Sequence, residues 1–129
     1  GWEEKVREFT GGKGVDIALE MVGGAIFEKT FKCLAPFGRL VIFGRASGEM
    51  STLDAAQLMR RNNSVIGFFL PQIMSQPELY ERSFTELLNF VDSGELKLTI
   101  GGIYRLEEAS LVHQLLQGRK TVGKLILSP

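Results

Sequence analysis

Val15-Asp16-Ile17-Ala18-Leu19-Glu20-Met21-Val22-Gly23-Gly24 and, one helical stretch later, Ala35-Pro36-Phe37-Gly38-Arg39-Leu40-Val41-Ile42-Phe43-Gly44 are two short apolar runs that each end on glycine. Between them Ile26, Phe27, Thr30, Phe31 and Leu34 share one face at helical spacing, which predicts a helix over 25–34. Parallel strands cannot be joined by a tight turn and need such a crossover. The passage therefore predicts neighbouring parallel strands of an open α/β sheet, laid side by side in sequence order by the right-handed crossover rule. Ligands of such sheets bind beyond the carboxyl ends of the strands, so Met21-Val22-Gly23-Gly24 and Phe43-Gly44 are where chemistry is to be sought.

Working outward, Trp2, Val6 and Phe9 mark an opening helix that Gly11-Gly12-Lys13-Gly14 stops. Pro36-Phe37-Gly38 predicts a turn ahead of a second strand over 39–43. Ser51 or Thr52 is the expected cap of a helix ending at Arg61, and Asn62-Asn63 breaks it. A third strand is expected over 64–70, ended by Pro71. The longest helix opens at Gln76-Pro77-Glu78, where a proline without N–H loses nothing, and stops at Ser93-Gly94. Residues 96–100 and 103–104 read as extended. A last helix runs from Leu106 to Leu116, and 123–127 forms the closing strand.

Composition narrows the function. The 129 residues fit one domain, and 44% hydrophobic residues can supply a core. Fifteen basic side chains balance fifteen acidic ones, so neither a nucleic-acid footprint nor a polybasic membrane anchor is present. One cysteine, Cys33, and one histidine, His113, exclude an intrachain disulfide and argue against a self-contained zinc site. No apolar run approaches the roughly 20 residues needed to span a bilayer. Gly1-Trp2-Glu3-Glu4-Lys5 lacks the apolar core of a signal peptide. The expected location is cytoplasmic.

The residues from Phe9 to Asp16, then Met21 to Gly24, then Cys33 to Gly44 closely resemble zinc-independent quinone oxidoreductases of the medium-chain dehydrogenase/reductase superfamily. Leu106-Glu107-Glu108-Ala109 with His113, followed by Gly118 to Leu127, is similar to that family's closing helix and strand. The resemblance covers nearly the whole chain in order. It implies an NADPH-dependent reductase of quinones or α,β-unsaturated carbonyls. It also implies that residues 1–95 are the second half of a Rossmann-type, doubly wound cofactor domain, and that 96–129 return into the catalytic domain. The family's N-terminal catalytic part, its first Rossmann half and its glycine-rich phosphate turn have no counterpart in this chain. By itself the chain is thus expected to be inactive, with weak or absent NADPH binding. Two other readings stand beside it: an assembly module without turnover that uses exposed sheet edges, and an enoyl-thioester reductase segment of a larger synthase.

The resemblance assigns the candidate residues. Met21, Val22, Gly23 and Gly24 lie near the dinucleotide, where glycine permits close backbone approach, or else form a plain strand-to-helix turn. Phe43 and Gly44 lie on the nicotinamide side, with the Arg45 side chain solvated. Phe68, Phe69 and Leu70 are an apolar wall beside the nicotinamide, an edge that pairs across a two-fold in a homodimer through residues 64–70, or buried core. Arg119 and Lys124 approach the cofactor's phosphate and ribose, or occupy a surface turn. His113 has no motif to make it a base. Cys33 reads as a small buried hydrophobe. Asp16 and Glu20, roughly 13 Å apart along a strand, cannot act as a carboxylate pair. Gly23-Gly24 and Gly101-Gly102 lack phosphate-loop spacing. No catalytic residue and no metal ligand is expected.

Overall fold

The structure, a computed structural model, describes Gly1–Pro129 and divides into two compact units, Gly1–Gln76 and Pro77–Pro129. In the first unit, α1 (Trp2–Phe9) leads through a glycine-rich turn into β1 (Val15–Glu20), α2 (Gly24–Lys32), β2 (Leu34–Ile42), α3 (Ala55–Arg61), β3 (Ser64–Gly67) and the short α4 (Leu70–Met74). The three strands form one parallel sheet in the order β1-β2-β3, as the crossover argument requires.

One face of this sheet carries the core. Leu34 and Leu40 are fully buried, and Phe27 and Phe31 from α2 close over them, flanked by Val15, Ala18, Ile42, Leu53, Leu58 and Val65. The opposite face is open. Ile17 and Leu19 remain 62% and 69% exposed, and Ile66 43%. Cys33 is buried where α2 meets β2, and that burial pushes its thiol pKa up from the ordinary value. Between α1 and α2, the Lys29 ammonium donates to Glu3 at 2.8 Å; this hydrogen bond lowers the pKa of Glu3 and raises that of Lys29.

Three local expectations are corrected. Pro36-Phe37-Gly38 lies inside β2 as an irregularity rather than ahead of the strand. Val15 pairs with Leu34 but Ile17 with Arg39, so Ala35–Gly38 loop out, with Phe37 at a φ of 63°. The cap of α3 is Asp54, whose carboxylate accepts from the Ala56 N–H at 2.9 Å. Ser51, one of the two expected caps, instead accepts from the Gly24 N–H. The third strand stops at Gly67, short of Leu70. Leu70 and Pro71 open α4, because a proline that cannot donate to a ladder is tolerated in a helical first turn.

Asn63 explains how the loop-out in β2 is held. Its side-chain amide, almost fully buried, donates to the carbonyls of Ala35 at 2.7 Å and Gly38 at 3.2 Å. Both carbonyls belong to buried residues at the irregularity in the ladder, where an unpaired acceptor is costly. Asn63→Ala is expected to leave both unpaired and to lower stability by about 1–3 kcal/mol, read as a reduced urea midpoint at unchanged slope.

In the second unit, α5 (Pro77–Asp92) carries a stacked Tyr80–Phe84 pair with ring centroids 5.8 Å apart. β4 (Ile100–Arg105) then leads through a single 3-10 turn (Leu106–Glu108) into α6 (Ala109–Gln117) and β5 (Lys124–Ser128). The Glu108 carboxylate accepts from the Arg105 N–H at 2.8 Å and fixes the entry to α6. β4 and β5 pair in parallel, with α6 as crossover and Val112 as its buried residue. Residues 97–99, expected as part of an extended run, precede the strand. No helix is long and apolar enough to cross a membrane.

Candidate functional site

The parallel ladder brings the carboxyl ends of β1 and β2 together, and two loops meet there. The first, Met21–Gly23, links β1 to α2; the second runs from Phe43 to Asp54. Pairing continues past the strands, with the Phe43 N–H donating to the Glu20 carbonyl at 3.0 Å and the Phe68 N–H to the Ile42 carbonyl at 2.8 Å. The loops are then latched to one another. The Ala46 N–H donates to the Met21 carbonyl at 2.8 Å, and the Ser47 N–H and hydroxyl both donate to the Val22 carbonyl, at 2.9 and 2.6 Å. The Gly24 N–H donates to the Ser51 hydroxyl oxygen at 3.0 Å.

Between these loops lies a cavity of about 260 Å³ lined by Glu20, Gly23, Ile42, Gly44, Arg45, Met50 and Ser51. Gly23 has a φ of 83° and a ψ of −173°, a conformation that residues with a Cβ essentially do not adopt. A Cβ there would also stand 3.1 Å from both the Arg45 Cγ and the Glu49 carbonyl oxygen. Glycine is thus required twice over, by torsion and by the close approach of Arg45, Ser47 and Glu49.

Of the residues expected at the site, Met21, Val22, Gly23, Gly24, Phe43 and Gly44 converge here, and Gly23 and Gly44 line the cavity itself. Phe68 follows β3 in the same sheet; it and Phe69 and Leu70 are exposed, at 46%, 70% and 52%, so the buried-core alternative does not hold for them. Arg45 is exposed and takes part in no ion pair. Arg119, at a φ of 52°, and Lys124, the first residue of β5, are exposed members of the second unit. His113 is an exposed residue of α6.

Sequence reasoning missed Glu20, Ser47, Met50 and Ser51. Glu20 was weighed only as a partner for Asp16 and set aside. The legible signal was an acidic residue at the end of an apolar strand, three positions before a glycine. Ser47 lies in a small-residue loop and Ser51 reads as a helix cap, and nothing local points to their partners twenty-five and twenty-seven positions away.

Comparison with known proteins follows the same outline. A family model described as zinc-binding dehydrogenase matches residues 2–127. Quinone oxidoreductase-like protein 2 of Bos taurus is 32% identical over 127 residues, covering 98% of this chain and 36% of that protein. The 2-haloacrylate reductase of a Burkholderia species is 30% identical over 98% of this chain and 38% of its own length. A mycobacterial structure, Rv1454c complexed with NADPH, superposes with a TM-score of 0.83 at 32% identity, covering 99% of this chain and 39% of that one. The chain therefore spans a little over a third of the length of these relatives. The family description names zinc, but no group of three or more His, Cys, Asp or Glu side chains is placed to hold a metal, and the residues present do not fit such a site. With a parallel α/β sheet, glycines just beyond the carboxyl ends of β1 and β2, and a family match across 2–127, the chain belongs to the zinc-binding dehydrogenase family of medium-chain oxidoreductases.

Proposed function

We propose that this chain carries the nicotinamide-side part of the cofactor cleft of an NADPH-dependent reductase acting on quinones or α,β-unsaturated carbonyls. In this reading residues 1–95 build the cofactor side and 96–129 return toward the catalytic domain. The observation that carries it is the cavity at the carboxyl ends of two adjacent parallel strands, with Gly23 and Gly44 among its lining residues. The residues fit one end of a dinucleotide. They offer glycine backbone and apolar walls but no glycine-rich phosphate turn of the G-x-G-x-x-G kind.

When bound, the nicotinamide supplies the hydride, and the chain's own residues orient and enclose it. Gly23 and Gly44 let the two loops approach each other closely and so set the shape of the cavity in which the ring would sit. Ile42 and Met50 supply apolar lining on one side. The Ser47 and Ser51 latches hold the two loops at a fixed separation. No side chain here needs to act as nucleophile or base. The exposed Phe68 and Phe69, beside the outer edge of β3, support a further element of the proposal, pairing of that edge with a second copy across a two-fold.

The test is an amide-resonance titration of the chain with NADPH. At micromolar cofactor no thermal shift is expected, because the phosphate-binding half is not in this chain. At millimolar cofactor the Gly23, Gly24 and Gly44 resonances are expected to move first. Titration that leaves all three still, or moves scattered surface residues equally, would overturn the cofactor reading. Sedimentation that returns a monomer at all concentrations would remove the edge-pairing element alone.

A further inference from the structure

Glu20 ends β1 on the core side of the sheet and is only 3% exposed, yet no lysine, arginine or histidine pairs with it. A carboxylate withdrawn from water is costly unless hydrogen-bonded. Its partners are two backbone amides. Oε1 accepts from the Val22 N–H at 2.7 Å and the Gly23 N–H at 3.0 Å, and Oε2 accepts from the same Gly23 N–H at 3.3 Å. The 2.7 Å contact has the short length of a charge-assisted bond. Both amides stand at the entry to α2, a nine-residue helix whose first N–H groups have no intrahelical partner and whose dipole points its positive end here. The next amide, of Gly24, is given to Ser51. The Val22, Gly23 and Gly24 amides at this helix entry are thus engaged, and a negative charge already lies beside them.

We propose that Glu20 is a positioning residue of the cavity it lines: it draws the Val22 and Gly23 amides inward, so fixing the glycine turn, and its charge reserves the cavity for an uncharged or cationic ring while turning phosphate away. The ring in question rests on the cofactor reading above; the positioning does not. The geometry makes the two effects separable. Gln at this position keeps a carbonyl acceptor for both amides but removes the charge. Met keeps the length and removes the acceptor. Asp keeps the charge and shortens the reach by a methylene.

The experiment uses the full chain as wild type, Glu20→Gln, Glu20→Met and Glu20→Asp. Hydrogen exchange at the Val22 and Gly23 amides is expected to remain near wild type in Glu20→Gln. In Glu20→Met and Glu20→Asp it is expected to speed up about tenfold or more, the equivalent of one lost hydrogen bond. Inorganic phosphate at millimolar concentration is expected to move the Gly23 and Gly24 resonances of Glu20→Gln and to leave those of the wild type in place. Exchange unchanged in Glu20→Asp overturns the positioning role even where Glu20→Met does not fold. Equal phosphate response in wild type and Glu20→Gln overturns the charge role. With NADPH as probe, Glu20→Gln should respond at Gly44 and Glu20→Asp should respond several-fold more weakly. A wild type silent to NADPH refutes the cofactor reading, while the exchange and phosphate results still decide the part played by Glu20.

Discussion

Leu40→Ala is expected to lower the stability of the chain by about 2–5 kcal/mol. Leu40 is fully buried in the middle of β2, between Ala18 of β1 and Val65 of β3, under the Phe27 and Phe31 rings. Removing its three terminal carbons forfeits their transfer from water and leaves a hole. The hole cannot close cheaply, because both neighbouring strands are hydrogen-bonded to β2 and α2 packs over β1 and β2. The other face of the same sheet is open, so this core is thin, and small domains keep only about 5–15 kcal/mol in total. The expected outcome is a substantially lowered urea midpoint at an unchanged slope. Val41→Ala, half-exposed on the other face of the same strand, serves as control and is expected to change the midpoint much less. Equal losses from the two would mean that the core does not lie on the α2 side.

How far this arrangement could be read in advance depends on the range of the forces involved. β1, α2 and β2 were legible because each is a local apolar pattern with a glycine or charge at its end, and period decides secondary structure over a handful of residues. The order of the strands followed from the handedness of crossovers, again a short-range rule. The bulge at Ala35–Gly38 was not legible as such, since Pro36 and Gly38 announce a turn in any context. What converts the turn into a loop-out within a strand is the Asn63 amide, twenty-five positions later. The same holds for the end of β3. A run of β-branched and aromatic residues predicts extension through Leu70, but the ladder partner on β2 ends at Ile42, and beyond Phe68 nothing remains to pair with.

The site divides along the same line. Gly23, Gly24 and Gly44 could be found from their place at the ends of apolar runs, because backbone geometry at strand ends selects glycine locally. The polar frame could not. Ser47 acquires meaning only once the two loops face each other, Ser51 reads in the sequence only as a helix cap, and Glu20 has no charged partner to mark it. Its partners are main-chain amides, which every sequence possesses and none displays.

Gly14→Ala is expected to be more damaging than Leu40→Ala, and by a route that reaches the site. Gly14 has a φ of 91°, and a Cβ there would stand 2.5 Å from the Cys33 carbonyl oxygen and 2.8 Å from the Ala35 nitrogen, both backbone atoms that cannot swing aside. The torsional cost alone is about 1–3 kcal/mol. Forcing the two strand starts apart adds about as much again through overpacking. The pairing at risk is the first of the sheet: the Val15 N–H donates to the Cys33 carbonyl at 2.9 Å, and Val15 lies opposite Leu34. From there β1 runs directly to Glu20, so the placement of that carboxylate, of the Val22 and Gly23 amides it holds, and of the cavity they border begins at this contact. The expected result is loss of the cooperative urea transition at ambient temperature. In the milder outcome, amide exchange quickens first at Val15 and then at Val22 and Gly23, although the last two are eight and nine residues from the substitution. Exchange quickened at Val15 alone would show that the strand end is held independently of its beginning, and that the glycine-lined cavity is fixed by its own latches instead.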